Sequence, residues 1–148
     1  DESLDMLLAD GLDHVYAKQW ALTMEARAGA RALGLRLFVG EHYTWGITSI
    51  ELPEGVDGRE VLRIAENDYG VCMAGGQDHL KGRIVRLGHM GWVDWADVMA
   101  GLYALDCGLR KAQGFSGSRD YLEQAMAAYS AALAGRAGDP VPQVMVRS

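Results

Sequence analysis

The sequence predicts an α+β fold, in which a small, mainly antiparallel sheet carries helices on one face and is preceded by a long N-terminal helix. Three observations support this fold class. Apolar residues recur at helical spacing over residues 4–33, short β-rich runs bounded by glycine or proline fill the middle of the chain, and two amphipathic stretches follow. The resulting order α β β α β β α α favours antiparallel pairing with the helices packed on one side.

The first element is helical because its apolar residues recur every three to four positions. The residues that define the pattern are Leu4, Leu8, Leu12, Val15 and Leu22. Ser3 is an N-cap residue type, and Gly34 is a typical stop. The pattern therefore predicts either one long helix or two helices broken near Gly11.

The middle of the chain is predicted to hold four short strands and one helix. The strands are expected at 35–39, 46–50, 69–74 and 83–87, with an irregular segment between the first two and a loop at 77–82 between the last two. The helix is expected from Gly58 to Asn67, because Asp57 is a good N-cap residue and an apolar stripe follows it.

Two further amphipathic helices are predicted, one over 93–111 and one over 118–134. Ser118 or Asp120 would cap the second. From Gly135 onward the tail is expected to be extended or loose. With no internal repeat and no long linker, we expect residues 1–34 to form a connecting helix, 35–113 the body of the domain, and 114–148 an additional helix and loose tail.

Composition excludes several classes of function. The chain has 148 residues, of which 49% are hydrophobic and 23% charged, which is typical of one globular domain. The net charge of −6 argues against a nucleic-acid surface, which needs clustered Lys and Arg. No apolar run is long enough to cross a membrane and no leader pattern is visible, so a cytoplasmic protein is expected.

Two smaller features complete the composition. Cys72 and Cys107 lack CxxC spacing and fall in apolar segments, which predicts buried, reduced thiols. The chain opens with Asp1 and not with Met, from which we expect it to begin inside a longer gene product.

Two arginines stand in the most informative stretch, KGRIVRLGHMG, which covers Lys81 to Gly91. Arg83 and Arg86 are three apart, so on a strand they point to opposite faces and cannot share a role. A guanidinium at a strand end suits a carboxylate, since its planar fork makes two parallel hydrogen bonds of about 1.5–3 kcal/mol each. From chemistry alone, a surface or structural arginine is the commoner explanation.

The same stretch belongs to a longer resemblance. From ALGLRLF through TSIELPEGVDGREVLRIAENDYGVCMAGGQDHLKGRIVRLGHMG to the helix that ends in YALDCGL, the chain resembles the C-terminal small domain of class V, fold-type I, pyridoxal-phosphate (PLP) aminotransferases of the alanine–glyoxylate and serine–pyruvate type. The resemblance spans about residues 3–113. Its most specific elements are PEGVDG, YGVCMAGGQ and KGRIVRLGHMG.

The resemblance implies a role for Arg86. In this family the second arginine of K-G-x-x-x-R-x-G-x-x-G binds the substrate's α-carboxylate, and Arg86 holds that position. PLP would be bound by an N-terminal domain of the same polypeptide. Lys18, Lys81 and Lys111 lack the Ser-x-x-Lys setting of the Schiff-base lysine.

We therefore expect a fragment that contributes the carboxylate arginine, has no catalytic residue or bound PLP of its own, and is inert in isolation. The complete enzyme would be a homodimer that transaminates alanine or serine with glyoxylate or pyruvate.

Other residues near Arg86 are weaker candidates. Gly75 and Gly76 would line the site if the chain passes close to cofactor or substrate, as in related enzymes, but a hairpin turn equally requires glycine. His89 is a further site-lining candidate. Its pairing with His79 across ten residues is no metal-ligand pattern, so no metal site is predicted and ordinary loop histidines are expected.

One further segment departs from the family pattern, and two pairs of residues have structural explanations. Glu41 to Gly46 differs from the short Arg-Ser type run that relatives carry at this position. Trp92 and Trp95 are expected in the core or an interface. Asp94 and Asp97 fall in the first turn of a helix, where a capping role suffices.

Two other functions stay open at this point. A stand-alone, non-catalytic binding or dimerisation module could keep the same fold, pairing through its long N-terminal helix. A desulfurase-like or lyase-like enzyme would share the cofactor family, although no catalytic cysteine loop is visible. Surfaces that face the rest of a complete enzyme should leave an apolar patch that promotes self-association.

Overall fold

A computed structural model describes residues 2–9 and 11–136, with Leu7 and Arg136 described by their backbone alone. In chain order the elements are α1 (Glu2–Ala9), α2 (Leu12–Ala32), β1 (Arg36–Leu37), β2 (Ile47–Glu51), α3 (Gly58–Tyr69), β3 (Ala74–Gly75), β4 (Ile84–Gly88), α4 (Trp95–Gln113) and α5 (Tyr121–Arg136). A short 3₁₀ turn, Asp78–Leu80, lies between β3 and β4. The predicted loose tail lies outside the described residues, apart from Gly135 and Arg136, which continue α5.

The N-terminal segment forms two helices and not one. Gly11 separates α1 from α2 with φ 80° and ψ 146°, a conformation that glycine adopts readily. The predicted break near Gly11 is therefore confirmed. No helix in the described ranges is long and apolar enough to cross a membrane.

The four strands of the described chain form one sheet in the order β1-β2-β4-β3, and each neighbouring pair is antiparallel. In the central pair, Ile50 lies opposite Val85 and Thr48 lies opposite Leu87. These four side chains are buried. Ser49 and Arg86 lie opposite each other and, by alternation, point to the other face.

The helices cover the face that carries Ile50 and Val85. The side chains that form this core are Leu22, Ala26, Leu33, Ile50, Val61, Val85, Leu87, Leu102, Leu105 and Leu109. Each fully buried Leu, Ile or Val contributes about 1.5–3 kcal/mol. Gly29 of α2 packs directly against Leu102 of α4 and Ala125 of α5, so α5 closes the helical layer. The predicted α+β class with an antiparallel sheet and a long N-terminal helix is confirmed.

Two strands are shorter than predicted, each for a local reason. The segment 69–74 is not a strand up to Met73, because α3 runs on to Tyr69 and ends in a left-handed Gly70. The amides of Gly70 and Val71 then bond back to Glu66 and Ala65, which uses these residues as a helix cap.

The segment 35–39 pairs regularly over Arg36–Leu37 alone. Beyond it, the carbonyls of Val39 and Gly40 accept hydrogen bonds from the Arg27 side chain of α2. They are therefore directed to α2 and away from β2.

The capping predictions at Asp57 and Asp94 are confirmed, but the one at Ser3 is wrong, because α1 already begins at Glu2. The Asp57 side chain accepts the Arg59 amide at the start of α3. Asp94 and Asp97 form a reciprocal capping box that starts α4. Asp120 directly precedes α5 and binds the side chains of Ser118 and Gln124.

The cysteines are unpaired, as predicted, but their predicted burial is wrong. Cys72 is exposed and Cys107 is half-buried. Cys72 follows the α3 cap on the surface, and Cys107 lies beside Tyr69 and Tyr103 on the outer side of α4.

Candidate functional site

Arg86 lies on β4, on the sheet face that the helices do not cover. Its side chain is half-buried, and its Nε–H donates to the Gly75 carbonyl of β3 at 2.9 Å. Arg83 precedes β4 and is exposed. The two arginines therefore differ in environment, and the prediction that they point to opposite faces of one strand is not tested, because Arg83 lies outside β4.

Arg86 has no carboxylate partner among residues 2–9 and 11–136. Other half-buried or exposed arginines do have one, for example Arg110 with Asp106 at 2.8 Å and Arg63 with Glu60 at 2.7 Å. A guanidinium partly removed from water with no counter-charge is costly unless a ligand supplies one. This arrangement suits the binding of an anion.

Gly75 contacts Arg86 and Gly76 contacts Ile84, so the two glycines have different roles in the geometry. The Gly75 carbonyl accepts the hydrogen bond from Arg86 Nε–H. The amide of the next residue, Gly76, donates to Ile84 O at 3.1 Å. A side chain at Gly76 would overlap the Leu80 carbonyl and reach 2.9 Å from Ile84 Cγ1. Close packing of the following turn therefore requires glycine at 76.

His89 is enclosed on the helical side of the sheet and is not an ordinary loop histidine. Its Nε2 is 2.9 Å from Thr48 Oγ1, while Gln19 Nε2 donates to the His89 carbonyl at 2.9 Å and lies 3.3 Å from Nδ1. Burial lowers the pKa of His89 to about 4, so the ring is neutral near pH 7. It joins β2 to α2, and its role in lining the Arg86 site stays a prediction.

No metal centre is indicated among residues 2–9 and 11–136. His79 is exposed on the 3₁₀ turn, whereas His89 is buried. In the part of the chain that the structure describes, no three His, Cys, Asp or Glu side chains are grouped to hold a metal ion.

The irregular segment 40–46 is held by Arg27, a residue that the sequence reasoning missed. Arg27 is 4% exposed, donates to Val39 O at 3.1 Å and Gly40 O at 2.6 Å, and lies 3.4 Å from the centre of the Tyr43 ring. A cation over an aromatic face adds to these bonds. The contacts fix the connection that leaves β1.

Glu25 is a second missed residue. It is fully buried in α2, and neither carboxyl oxygen has a hydrogen-bond partner among the described residues. Burial, and then the nearby charge of Asp94, raise the pKa of Glu25 to about 8. Its helical position, three after Leu22 and four before Gly29, places it on the core face, and this is the signal that could have found it.

The tryptophans expected in the core or an interface are not in the core. Trp92 is 85% exposed, and Met90 and Trp95 beside it in sequence are also exposed. Leu4 and Leu8 on α1 are exposed too. These apolar side chains are available for contact with another surface, so an interface role stays a prediction.

A cleft of about 830 Å³ lies at one end of the sheet, bordered by the Arg36–Glu51 ion pair, Phe38 and the turn 53–56. Arg86 does not line it. The cleft is therefore separate from the candidate anion site.

Comparison with known proteins places this geometry in a family. No protein-family model matches the chain. It is 33% identical over 104 residues to the soluble hydrogenase small subunit of Synechococcus sp., covering 70% of this chain and 27% of that one. It is 33% identical over 110 residues to the serine–glyoxylate aminotransferase of Hyphomicrobium methylovorum, covering 73% and 27%.

A solved structure gives the same result. The chain superposes on ureidoglycine–glyoxylate aminotransferase from Bacillus subtilis with a TM-score of 0.81 and 27% identity, covering 87% of this chain and 34% of that one. This superposition extends past residues 3–113, so part of the segment after residue 113 is matched as well.

The sheet, its helical layer and the sequence matches together define an α+β domain of aminotransferase type. The chain belongs, over about 70% of its length, to the class V aminotransferases of the alanine/serine–glyoxylate kind. It spans 27% to 34% of the length of the relatives described above.

Proposed function

We propose that the chain is the small domain of a PLP-dependent aminotransferase. The donor would be a small amino acid such as alanine or serine, and the acceptor glyoxylate or pyruvate. Arg86 would bind the substrate's α-carboxylate, and the complete enzyme would be a cytoplasmic homodimer. Gly75 and Gly76 would lie around this position, and His89 would lie behind it on the helical side of the sheet. The observation that carries the proposal is a half-buried guanidinium with no carboxylate partner, on the sheet face opposite the helices.

We infer that the site for PLP lies outside the described residues. The cofactor supplies an electron sink and needs a lysine to hold it covalently. Lys111 is engaged by Asp68 at 2.9 Å, Lys81 is exposed on the turn before β4, and Lys18 lies on α2 at the far side of the sheet from Arg86. The cofactor and its lysine would therefore be contributed from outside this chain, and the chain alone would be inert.

The chemistry assigned to this chain is the binding and orientation of substrate. Two parallel, charge-assisted hydrogen bonds from a guanidinium to a carboxylate fix both position and plane. In an aminotransferase this orientation holds the Cα of the substrate against the cofactor, and misplacement lowers the rate steeply.

The test uses the complete gene product. Arg86→Ala should lower kcat/KM at least tenfold, which corresponds to about 1.4 kcal/mol of lost transition-state stabilisation. Arg83→Ala is the matched control, because Arg83 is exposed, lies three residues away and makes no side-chain hydrogen bond or ion pair with the described residues. The kcat/KM of this variant should be unchanged. Equal rates for the two variants would refute the carboxylate role.

A non-catalytic module of the same fold is a second candidate, favoured by the apolar side chains exposed at Leu4, Leu8 and Trp92. It would pair through these surfaces. The gene decides between the two: an upstream region of about 250 residues with a Ser-x-x-Lys site supports the enzyme, and a start codon just before Asp1 supports the module. Self-association of the chain alone, measured by sedimentation, would support the apolar contact surfaces.

A further inference from the structure

A backbone carbonyl occupies one edge of the Arg86 guanidinium. Gly75 O accepts the Nε–H at 2.9 Å, while no hydrogen bond or ion pair joins Nη1 or Nη2 to the described residues. A guanidinium can bind a carboxylate through its Nη1–Nη2 edge or through its Nε–Nη edge. Because the Nε–H is already bound to Gly75 O, the Nε–Nη edge is blocked and the Nη1–Nη2 edge remains for a ligand.

Building on the proposed carboxylate role of Arg86, we propose that Gly75 is a positioning residue: its carbonyl orients the guanidinium so that a ligand carboxylate binds only at the Nη1–Nη2 edge. The two Nη groups of Arg86 are then already oriented for a carboxylate before it binds. Because the bond to Gly75 restricts the side chain before a ligand arrives, less rotamer entropy is lost on binding.

The position of the Gly75 carbonyl is fixed from two directions. On β4, Val85 lies opposite Gly75 in the antiparallel pair, and Ile84 O accepts the Gly76 amide at 3.1 Å. On the other side, the turn that contains Leu80 packs onto Gly76 so closely that a Cβ there would overlap the Leu80 carbonyl.

The turn itself is braced against β4. Leu80 O accepts the Arg83 amide at 3.0 Å, which ties the turn to the start of β4. A methyl group at 76 must therefore move β3 away from the turn, and the Gly75 carbonyl moves with it.

The first test is guanidinium NMR on the ¹⁵N-labelled 148-residue chain, titrated with pyruvate. The Arg86 Nε–H signal is assigned by its loss in Arg86→Lys. It should exchange slowly before pyruvate is added and should stay slow and nearly unshifted at saturation, while the Nη–H signals shift. Acetamide, which lacks a carboxylate, is the control ligand.

The outcomes separate the two proposals. A large shift of Nε–H on pyruvate binding would show use of the Nε edge and would overturn the role of Gly75 while leaving that of Arg86 intact. A fast-exchanging Nε–H in the free chain would do the same. If pyruvate moves no Arg86 signal at all, the carboxylate role fails, and the positioning role with it.

Two variants test the orientation independently. Arg86→Lys keeps the charge but cannot bind Gly75 O and present a fork together, so pyruvate affinity should fall roughly tenfold. Gly76→Ala should weaken it by a similar factor through the displaced carbonyl, with a faster-exchanging Arg86 Nε–H. Gly40→Ala, with no atom within 4 Å of the added methyl, is the matched control. Affinity within about twofold of wild type in Arg86→Lys would overturn the proposal, even if Gly76→Ala fails to fold.

Discussion

Glu25 and His89 predict a pH profile of stability that can be worked out in sign and size. Burial raises the pKa of Glu25 from 4.5 to about 8, so the folded chain holds a proton that the unfolded chain releases. The contribution of Glu25 to the free energy of unfolding is fully present below pH 4.5 and is lost as the pH rises to about 8. The slope reaches at most about 1.4 kcal/mol per pH unit.

His89 acts in the opposite direction over a lower range. Burial lowers the pKa of His89 from 6.5 to about 4, so the unfolded chain binds the proton more readily and stability rises from pH 4 to 6.5. Between pH 4.5 and 6.5 the two slopes oppose each other. Above pH 6.5 Glu25 acts alone, and the free energy of unfolding should fall by about 2 kcal/mol up to pH 8.

Glu25→Gln should remove this fall. Urea unfolding followed by circular dichroism, at intervals from pH 4 to 8.5, should show the variant gaining on wild type as pH rises and levelling off above pH 8. Glu66→Gln, an exposed carboxylate on α3, is the matched control and should leave the profile unchanged. Asp94→Asn keeps a capping side chain but removes a charge that raises the Glu25 pKa. The loss of stability should therefore end at lower pH and be smaller than in wild type. Parallel profiles for wild type and Glu25→Gln would refute the reasoning.

Two further predictions concern packing. Gly29→Ala should destabilise the chain by about 1–3 kcal/mol, although alanine favours helix, because its methyl group would overlap Leu102 and lie 3.1 Å from Ala125 Cβ. Gly135→Ala on α5, where the added methyl group meets open space, is the control and should not destabilise the chain. Equal effects of the two variants in urea unfolding would contradict the packing of α2 on α4 and α5. Arg27→Met should lower the free energy of unfolding by about 2–4 kcal/mol and speed amide exchange in residues 39–43, because two carbonyls and the Tyr43 ring lose their partner. Unchanged exchange in these residues would contradict the role of Arg27 in holding the segment.

Local patterns were sufficient to predict most of the fold. The helical spacing of Leu4 to Leu22, the cap at Asp57 and the box at Asp94 are properties of neighbouring residues, and all of them are found in the structure. The strand ends were predicted less well, since the Gly70 cap and the Arg27 contacts that shorten β3 and β1 depend on how a helix ends and on a residue far away in sequence.

The candidate site divides in the same way. Arg86 was predicted from its place in the K-G-x-x-x-R-x-G-x-x-G pattern of the resemblance, and Gly75, which accepts its hydrogen bond, was predicted as one of the glycine pair. The burial of Glu25 was missed, although its spacing from Leu22 within α2 indicates the core face. The burial of His89 was not anticipated, because it depends on the packing of α2 against the sheet, which no single segment specifies. The burial of a titratable group such as His89 can be read only from the packed structure, in which the helical layer covers the sheet.

The short strands β1 and β3 have a consequence for the behaviour of the chain in concentrated solution. They form the two borders of the sheet, and each contributes a ladder of only two residues. Few backbone donors and acceptors are thus offered in register to a strand from another molecule, which disfavours cross-β growth. Association of this chain should therefore proceed through its apolar side chains and remain reversible, without the templated elongation that yields fibrils.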